Sequence, residues 1–227
     1  MLILQIDASS GLCSVALSSN GELLHMEINK EPFQHGRDIN VLIEGLLNKS
    51  GYNFSDLHAI SINKGPGSYT ALRIGMSTAK GLCYALDIPL VAPSGLEILI
   101  DYAMMKYPDV DYYVPMIDAR RMEIYTSDPV HDLNQPLSFK ADILTEDSFY
   151  QLTQRTVCFS GNGVKKWKTI WPEENLWIGE EVEVDAGMMT RISHRLLKSN
   201  NISDLFTTTP TYIKKPNITK SKKVYFN

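Results

Sequence analysis

The chain has 227 residues, 44% of them hydrophobic and 21% charged, with a formal charge of −4. That suffices for one large domain or two small ones and is ordinary for a soluble globular protein. Three cysteines, Cys13, Cys83 and Cys158, lie far apart in apolar runs. They read as buried thiols of a reducing compartment, which excludes a disulfide framework or a zinc site. No stretch approaches a membrane span, and the opening Met1–Asp7 lacks the basic start of a signal peptide, so a cytoplasmic protein is expected.

The charge is uneven. Five lysines and no acid lie in the last 14 residues, so the other 213 carry 17 basic against 26 acidic side chains, a formal −9. An acidic body is a poor independent binder of nucleic acid. The lysine tail suits RNA or an acidic partner, although such tails are more often solvated ends.

In chain order, Leu2–Asp7, Cys13–Ser18 and Glu22–Ile28 read as three strands, with a hairpin signal at Asn20-Gly21. Ile39, Leu42, Ile43, Leu46 and Leu47 fall at helical spacing, and Ser50-Gly51 marks the stop. Leu57–Ile62 is a fourth strand. The loop Lys64-Gly65-Pro66-Gly67-Ser68 follows and opens a helix that ends near Asp87; Ile88–Ala92 is a fifth strand. Strands that follow crossover helices lie parallel to the first, so the order β-β-β-α-β-α-β gives a mixed, ribonuclease-H-like sheet.

The glycines of that loop permit backbone angles closed to other residues, Pro66 stiffens it, and Ser68 and Thr70 are good helix caps. The amides of such a helix start favour an anion. The spacing is neither that of a triphosphate loop nor a dinucleotide fingerprint. Along the helix, Ala71, Gly75, Ala79 and Cys83 recur every four residues as a small stripe, beside an apolar face of Leu72, Met76, Leu82 and Leu86. A small stripe admits close approach by another helix, of this chain or of a partner.

From about residue 93 the pattern repeats in reduced form. Leu96–Tyr107 reads as a connecting helix, and Tyr112–Ile117 with Met122–Ser127 as a hairpin around Asp118-Ala119-Arg120-Arg121. A short helix is expected from Thr145 to Gln154, then a strand, Thr156–Ser160, ending at Gly161-Asn162-Gly163. Asp185 opens a last helix. Two such units imply an α/β protein of the duplicated actin-like ATPase and sugar kinase fold. Residues 1–98 form the first ribonuclease-H-like domain, 99–209 a smaller second one, and 210–227 a basic tail packing back on the first. In that architecture a nucleotide lies between the halves. Candidate contacts are Asp7, Ser9 and Ser10 in the first half and Asp118, Gly161 and Gly163 in the second. Asp7 and Asp118 would hold magnesium through water, although Asp and Gly are also the usual hairpin-turn residues. Among the histidines only His35, at the first helix entrance, stands out, as a surface or capping residue. Trp167, Trp171 and Trp177 read as packing, with RNA stacking as the alternative.

Ile3-Leu4-Gln5-Ile6-Asp7-Ala8-Ser9-Ser10, Gly65-Pro66-Gly67-Ser68-Tyr69-Thr70-Ala71-Leu72-Arg73-Ile74-Gly75, the Asp118–Tyr125 hairpin and Pro210-Thr211-Tyr212-Ile213 resemble, in order, the motifs of the TsaB (YeaZ) family. The resemblance implies a role in forming threonylcarbamoyladenosine in tRNA, as a scaffold that pairs with the TsaD transferase, a paralogue of the same fold. It implies that the first two helices meet the partner, with His35, Ile39, Leu42, Leu46, Ala71, Leu72, Gly75, Met76, Ala79 and Cys83 as candidate contacts. It further implies a TsaE-like ATPase bound to the pair, a homodimer when the chain is alone, tRNA contacted through the complex, and no membrane. TsaD carries a His-x-x-x-His metal pair; the matching places here are Gly95 and Leu99, which bind no metal. Ala71 in place of a usual glycine, and Gln34-His35-Gly36 in place of His-Ser-Glu, depart from the TsaB pattern. No catalytic residue, metal or required cofactor is therefore expected. The alternatives are a stand-alone actin-like ATPase or small-molecule kinase using ATP or ADP with magnesium, and a metalloprotease, which the missing histidines oppose.

Overall fold

The computed structural model describes residues 1–29, 35–135, 137–152, 154–170 and 177–214, and of residues 35–38 the backbone alone. The His35 side chain, Trp171 and the lysines beyond Lys214 lie outside that description.

The first lobe is built from β1 (Leu2–Asp7), β2 (Cys13–Ser19), β3 (Glu22–Asn29), α1 (His35–Ser50), β4 (Ala59–Ile62), α2 (Tyr69–Leu86) and β5 (Leu90–Val91). Asn20 and Gly21 both take positive φ, as a two-residue hairpin turn requires. The strand order is β3-β2-β1-β4-β5; β2 runs antiparallel to β1, and β4 runs parallel to it. Strand alternation sends Leu2, Leu4 and Ile6 into a core beneath α1 and α2, together with Val15, Leu17, Ile60 and Ile62. It sends Ile3, Gln5 and Asp7 to the opposite face, where all three are buried.

The second lobe consists of α3 (Gly95–Lys106), β6 (Tyr112–Asp118), β7 (Glu123–Ser127), β8 (Phe139–Ile143), β9 (Val157–Ser160), α4 (Val164–Trp167) and β10 (Trp177–Glu180). Its order, β10-β9-β6-β7-β8, repeats the first strand for strand, with the same parallel and antiparallel pairings. The crossovers are what shrink. In place of a helix over 145–154 there is a 3-10 turn at Tyr150–Leu152, and α4 is four residues long. An aromatic cluster, Phe149, Phe159, Trp167 and Trp177, fills the space that longer helices cover in the first lobe.

The last helix, α5 (Thr190–Lys198), leaves the second lobe and packs on the first sheet. Its Ser193 hydroxyl donates to that of Ser61 on β4 at 2.7 Å, and just before it the Ala186 amide donates to Ser14 Oγ at 2.9 Å. These bonds fasten the segment to β4 and β2, the two neighbours of β1. Residues 186–198 thus touch the first sheet and, through Met189 and Ile192 against Ile98, also α3 of the second lobe. The helix begins at Thr190 rather than at Asp185, whose carboxylate accepts the Met188 amide at the head of a short 3-10 turn.

Candidate functional site

The glycine loop closes over the end of β1. The Ser68 amide donates to Ser9 O at 2.7 Å, and a Cβ on Gly67 would stand 2.0 Å from that same oxygen. No side chain is compatible with this approach, which explains the glycine. Ser68 occupies the N-cap position of α2 but makes no side-chain capping bond.

Beneath the loop lies Asp7, fully buried. It accepts from Asn63 Nδ2 at 2.8 Å and from the Ser9 amide at 3.2 Å. Burial pushes its carboxyl up to about 6 against the pull of these hydrogen bonds, and nearby Asp185 adds to the rise. Asn63 also reaches Ser9 Oγ and accepts the Gly65 amide, so it ties strand end, turn and loop together. Its place at the end of β4, just before the glycines, was the signal for this role; sequence reasoning passed over it.

Between the lobes lies a cleft of about 780 Å³, walled by Ser9–Gly11 and Gly67–Thr70 on one side and by Asp118–Arg120, Tyr125 and Asn162 on the other. Of the six nucleotide candidates, Ser9, Ser10 and Asp118 face it. The other three do not. Asp7 is sealed beneath the loop. Gly161 has φ +119, and a Cβ on it would meet Met116 O at 2.2 Å; one on Gly163 would meet Met116 at 3.0 Å. Those two glycines let the turn after β9 pack on β6. Asp118 is held by Lys166 Nζ at 2.7 Å and accepts the Arg120 amide at 2.6 Å. The two aspartates expected to share a magnesium ion are therefore separately engaged, one of them out of reach.

The C-terminal segment crosses the same cleft. The Thr211 amide donates to Lys64 O at 2.7 Å, and the Tyr212 ring lies 5.0 Å from that of Tyr69. Arg73 Nε donates to the Tyr212 hydroxyl at 3.1 Å, and Lys214 pairs with Glu123 on β7. A peptide strap thus joins α2 of the first lobe to the hairpin of the second.

The two long helices divide into faces differently from the expectation. Ala71, Gly75, Ala79 and Cys83, with Leu72 and Met76, are buried against the chain's own sheet. A Cβ on Gly75 would meet Ile62 and Ala8 at 3.1 and 3.2 Å. Ile39 and Leu46 of α1 are buried in the same core, and Leu42 packs at its edge. The small stripe therefore brings α2 close to β1 and β4 and is not open to a partner. What the helices present outward is Val41, 67% exposed, and Tyr84, 74% exposed. Beside them are Gly45 and Gly81, at which a Cβ would meet nothing within 4 Å.

Where the catalytic paralogue's metal pair would fall, Gly95 and Leu99 are both buried in the first turns of α3. A Cβ on Gly95 would stand 3.0 Å from Ile117 Cδ1, and neither Gly95 nor Leu99 has a side-chain donor atom to offer a metal. Among the described residues no three His, Cys, Asp or Glu side chains are grouped as metal ligands. The residues present do not fit the metal of the transferase. None of the described helices is long and apolar enough to cross a membrane.

These features have counterparts among known proteins. The chain is 33% identical over 135 residues to the tRNA threonylcarbamoyladenosine biosynthesis protein TsaB of Escherichia coli, covering 59% of this chain and 57% of that one. It is 37% identical over 126 residues to that of Bacillus subtilis, covering 56% and 54%. The aligned stretch thus spans little more than half the length of these curated relatives. The solved structure of YeaZ from Pseudomonas aeruginosa superposes with a TM-score of 0.77 at 23% identity, covering 93% of this chain and 99% of that one. The activator of the 2-hydroxyisocaproyl-CoA dehydratase from Clostridium difficile, solved with bound ADPNP, superposes at 0.50 and 11% identity, covering 88% and 98%. These two show the fold: the duplicated actin-like ATPase architecture. The sequence model described as "TsaD: tRNA N6-adenosine threonylcarbamoyltransferase" matches residues 32–221. The chain belongs to this TsaD family, and within it resembles the TsaB (YeaZ) proteins.

Proposed function

We propose that the chain is a non-catalytic activating subunit in the formation of threonylcarbamoyladenosine in tRNA, pairing with a TsaD-type transferase through the outward faces of α1 and α2. The observation that carries this reading is the pair Gly45 and Gly81. Each sits in a helix interior, where glycine costs about 1 kcal/mol relative to alanine. Nothing inside the molecule requires either one, since the space above both is open. Flanked by the exposed Val41 and Tyr84, they let a partner helix approach the backbone closely. The donor-free Gly95 and Leu99 support the absence of a transferase centre in this subunit. A TsaE-like ATPase would join the assembled pair, the free chain would use the same face to form a homodimer, and tRNA places the work in the cytoplasm.

Reconstituted threonylcarbamoylation of tRNA tests the proposal. The chain alone should give no product, and the transferase of the same cell should gain at least tenfold when the chain is added. Full transferase activity without it would refute the activating role. A second reading, nucleotide turnover by this chain alone, is favoured only by the two-lobed cleft. It is opposed by the sealed Asp7, the inward Gly161 and Gly163, and the strap. Magnesium-dependent ATP binding by the isolated chain would revive it.

A further inference from the structure

We propose that residues 211–214 are a releasable clasp: they fasten the two lobes across the mouth of the cleft, and their release opens it. The segment is held at both ends. On the first lobe the Thr211 amide donates to Lys64 O at 2.7 Å. The Tyr212 ring lies 5.0 Å from that of Tyr69, tilted by 33°. Arg73 ties the two tyrosines together: its guanidinium stands 4.2 Å over the Tyr69 ring, and its Nε donates to the Tyr212 hydroxyl at 3.1 Å. On the second lobe Lys214 pairs with Glu123 of β7. Only Ile213 separates these attachments. Two residue steps span at most about 7 Å, so neither end moves far without the other. All four residues line the cleft, and Tyr212 is 41% exposed, which sets the segment at its outside.

The lobes have a second joint that involves none of these residues. There Met189 and Ile192 cluster with Ile98 of α3, and Arg195 donates to the buried Asp101 at 2.9 Å. The cluster of that joint is apolar and buried, whereas the contacts of the clasp are exposed or half-buried. Contacts of the second kind are individually weak and open locally; a buried cluster opens only with the fold around it. The molecule therefore has two states. In the clasped one, residues 211–214 share the cleft with residues 9–11 and 67–70 on one wall and 118–120 on the other, and take space from anything that enters. In the unclasped one, the lobes stay joined at α3 and α5 while the cleft is free to widen. The inference goes beyond the function proposed above and does not rest on it.

Two measurements on the full chain test the clasp. Amide exchange at Thr211 reads its closure. Double electron–electron resonance reads the distance between lobes, with spin labels on cysteines placed at the exposed Asn48 of α1 and Ile143 of β8. The native cysteines are buried and stay unlabelled. The variants are Tyr212→Ala, Lys214→Glu, Glu123→Lys, and the last two combined. Loss of one weak contact should raise the exchange rate at Thr211, corrected for its intrinsic rate, about threefold to tenfold in each single variant. The distance distribution should broaden in each. The combined variant restores a pair of opposite charges and should return both readouts toward those of the wild type. All four positions lie outside the hydrophobic cores, so the variants should melt within about 3 °C of the wild type, and loosening is then not unfolding. Unchanged exchange in the single variants would overturn the clasp. So would faster exchange with an unchanged distance distribution, since the segment would then be a tail that fastens nothing. A combined variant as loose as the single ones would overturn the part given to Lys214 and Glu123. None of these readouts involves the transferase, so the clasp and the activating role stand or fall separately.

Discussion

Asp7 shows at the scale of one residue what the buried end of β1 demands. Its ordinary value is 3.8 and burial raises it to about 6, so the folded state binds its proton more tightly than the unfolded chain. The associated stability is fully present below about pH 4 and is lost as pH rises through 6. At neutral pH the ionised carboxylate then costs the fold on the order of 2–3 kcal/mol. Asp7→Asn keeps an oxygen for Asn63 and the Ser9 amide and removes the charge. Urea unfolding should find this variant about 1–3 kcal/mol more stable at pH 7.5, with the gain shrinking toward zero near pH 4. A gain independent of pH would contradict the burial account. The aspartate itself was legible as the end of a strand. Its concealment was not, because that depends on Gly67 meeting Ser9 O across 58 positions of sequence.

At the scale of elements, α2 carries two faces with opposite fates. The stripe Ala71-Gly75-Ala79-Cys83 was legible as a close-packing surface, but its destination was not, since small side chains admit a sheet as readily as a partner helix. The polar residues Arg73, Ser77 and Lys80 of the other face are what turn that face to solvent. Charge at Gly75 therefore strikes the core, so Gly75→Glu should fail to give a folded chain and cannot probe an interface. Gly45→Ala and Gly81→Ala act differently. Each should stabilise the free chain by about 0.5–1 kcal/mol while weakening the transferase pair several-fold. Thermal melting and titration calorimetry read the two effects separately. If affinity is unchanged in both variants, the glycines serve no contact. In the second lobe, β8 and β10 escaped sequence reasoning because they are short, half-exposed edge strands with little alternation.

The whole molecule is a duplication with one half reduced. The first lobe was readable because α1 and α2 are long enough for periodicity to show. The second was readable at α3, its hairpin, β9 and its glycine turn, but not in its later crossovers, which are single turns. The return of α5 to the first sheet and the strap across the cleft are contacts between residues far apart in sequence, and no local pattern encodes them. The strap leaves the cleft partly occupied by the chain's own C-terminal segment, while Val41 and Tyr84 keep the outer faces of α1 and α2 open. Under the function proposed above, such a molecule acts by binding. Gel filtration with light scattering, of the chain alone and mixed with the transferase of the same cell, tests this most directly. The account predicts a one-to-one complex that displaces any homodimer and is lost in a folded Gly81→Glu variant. Absence of a complex, or a complex indifferent to that substitution, would contradict it.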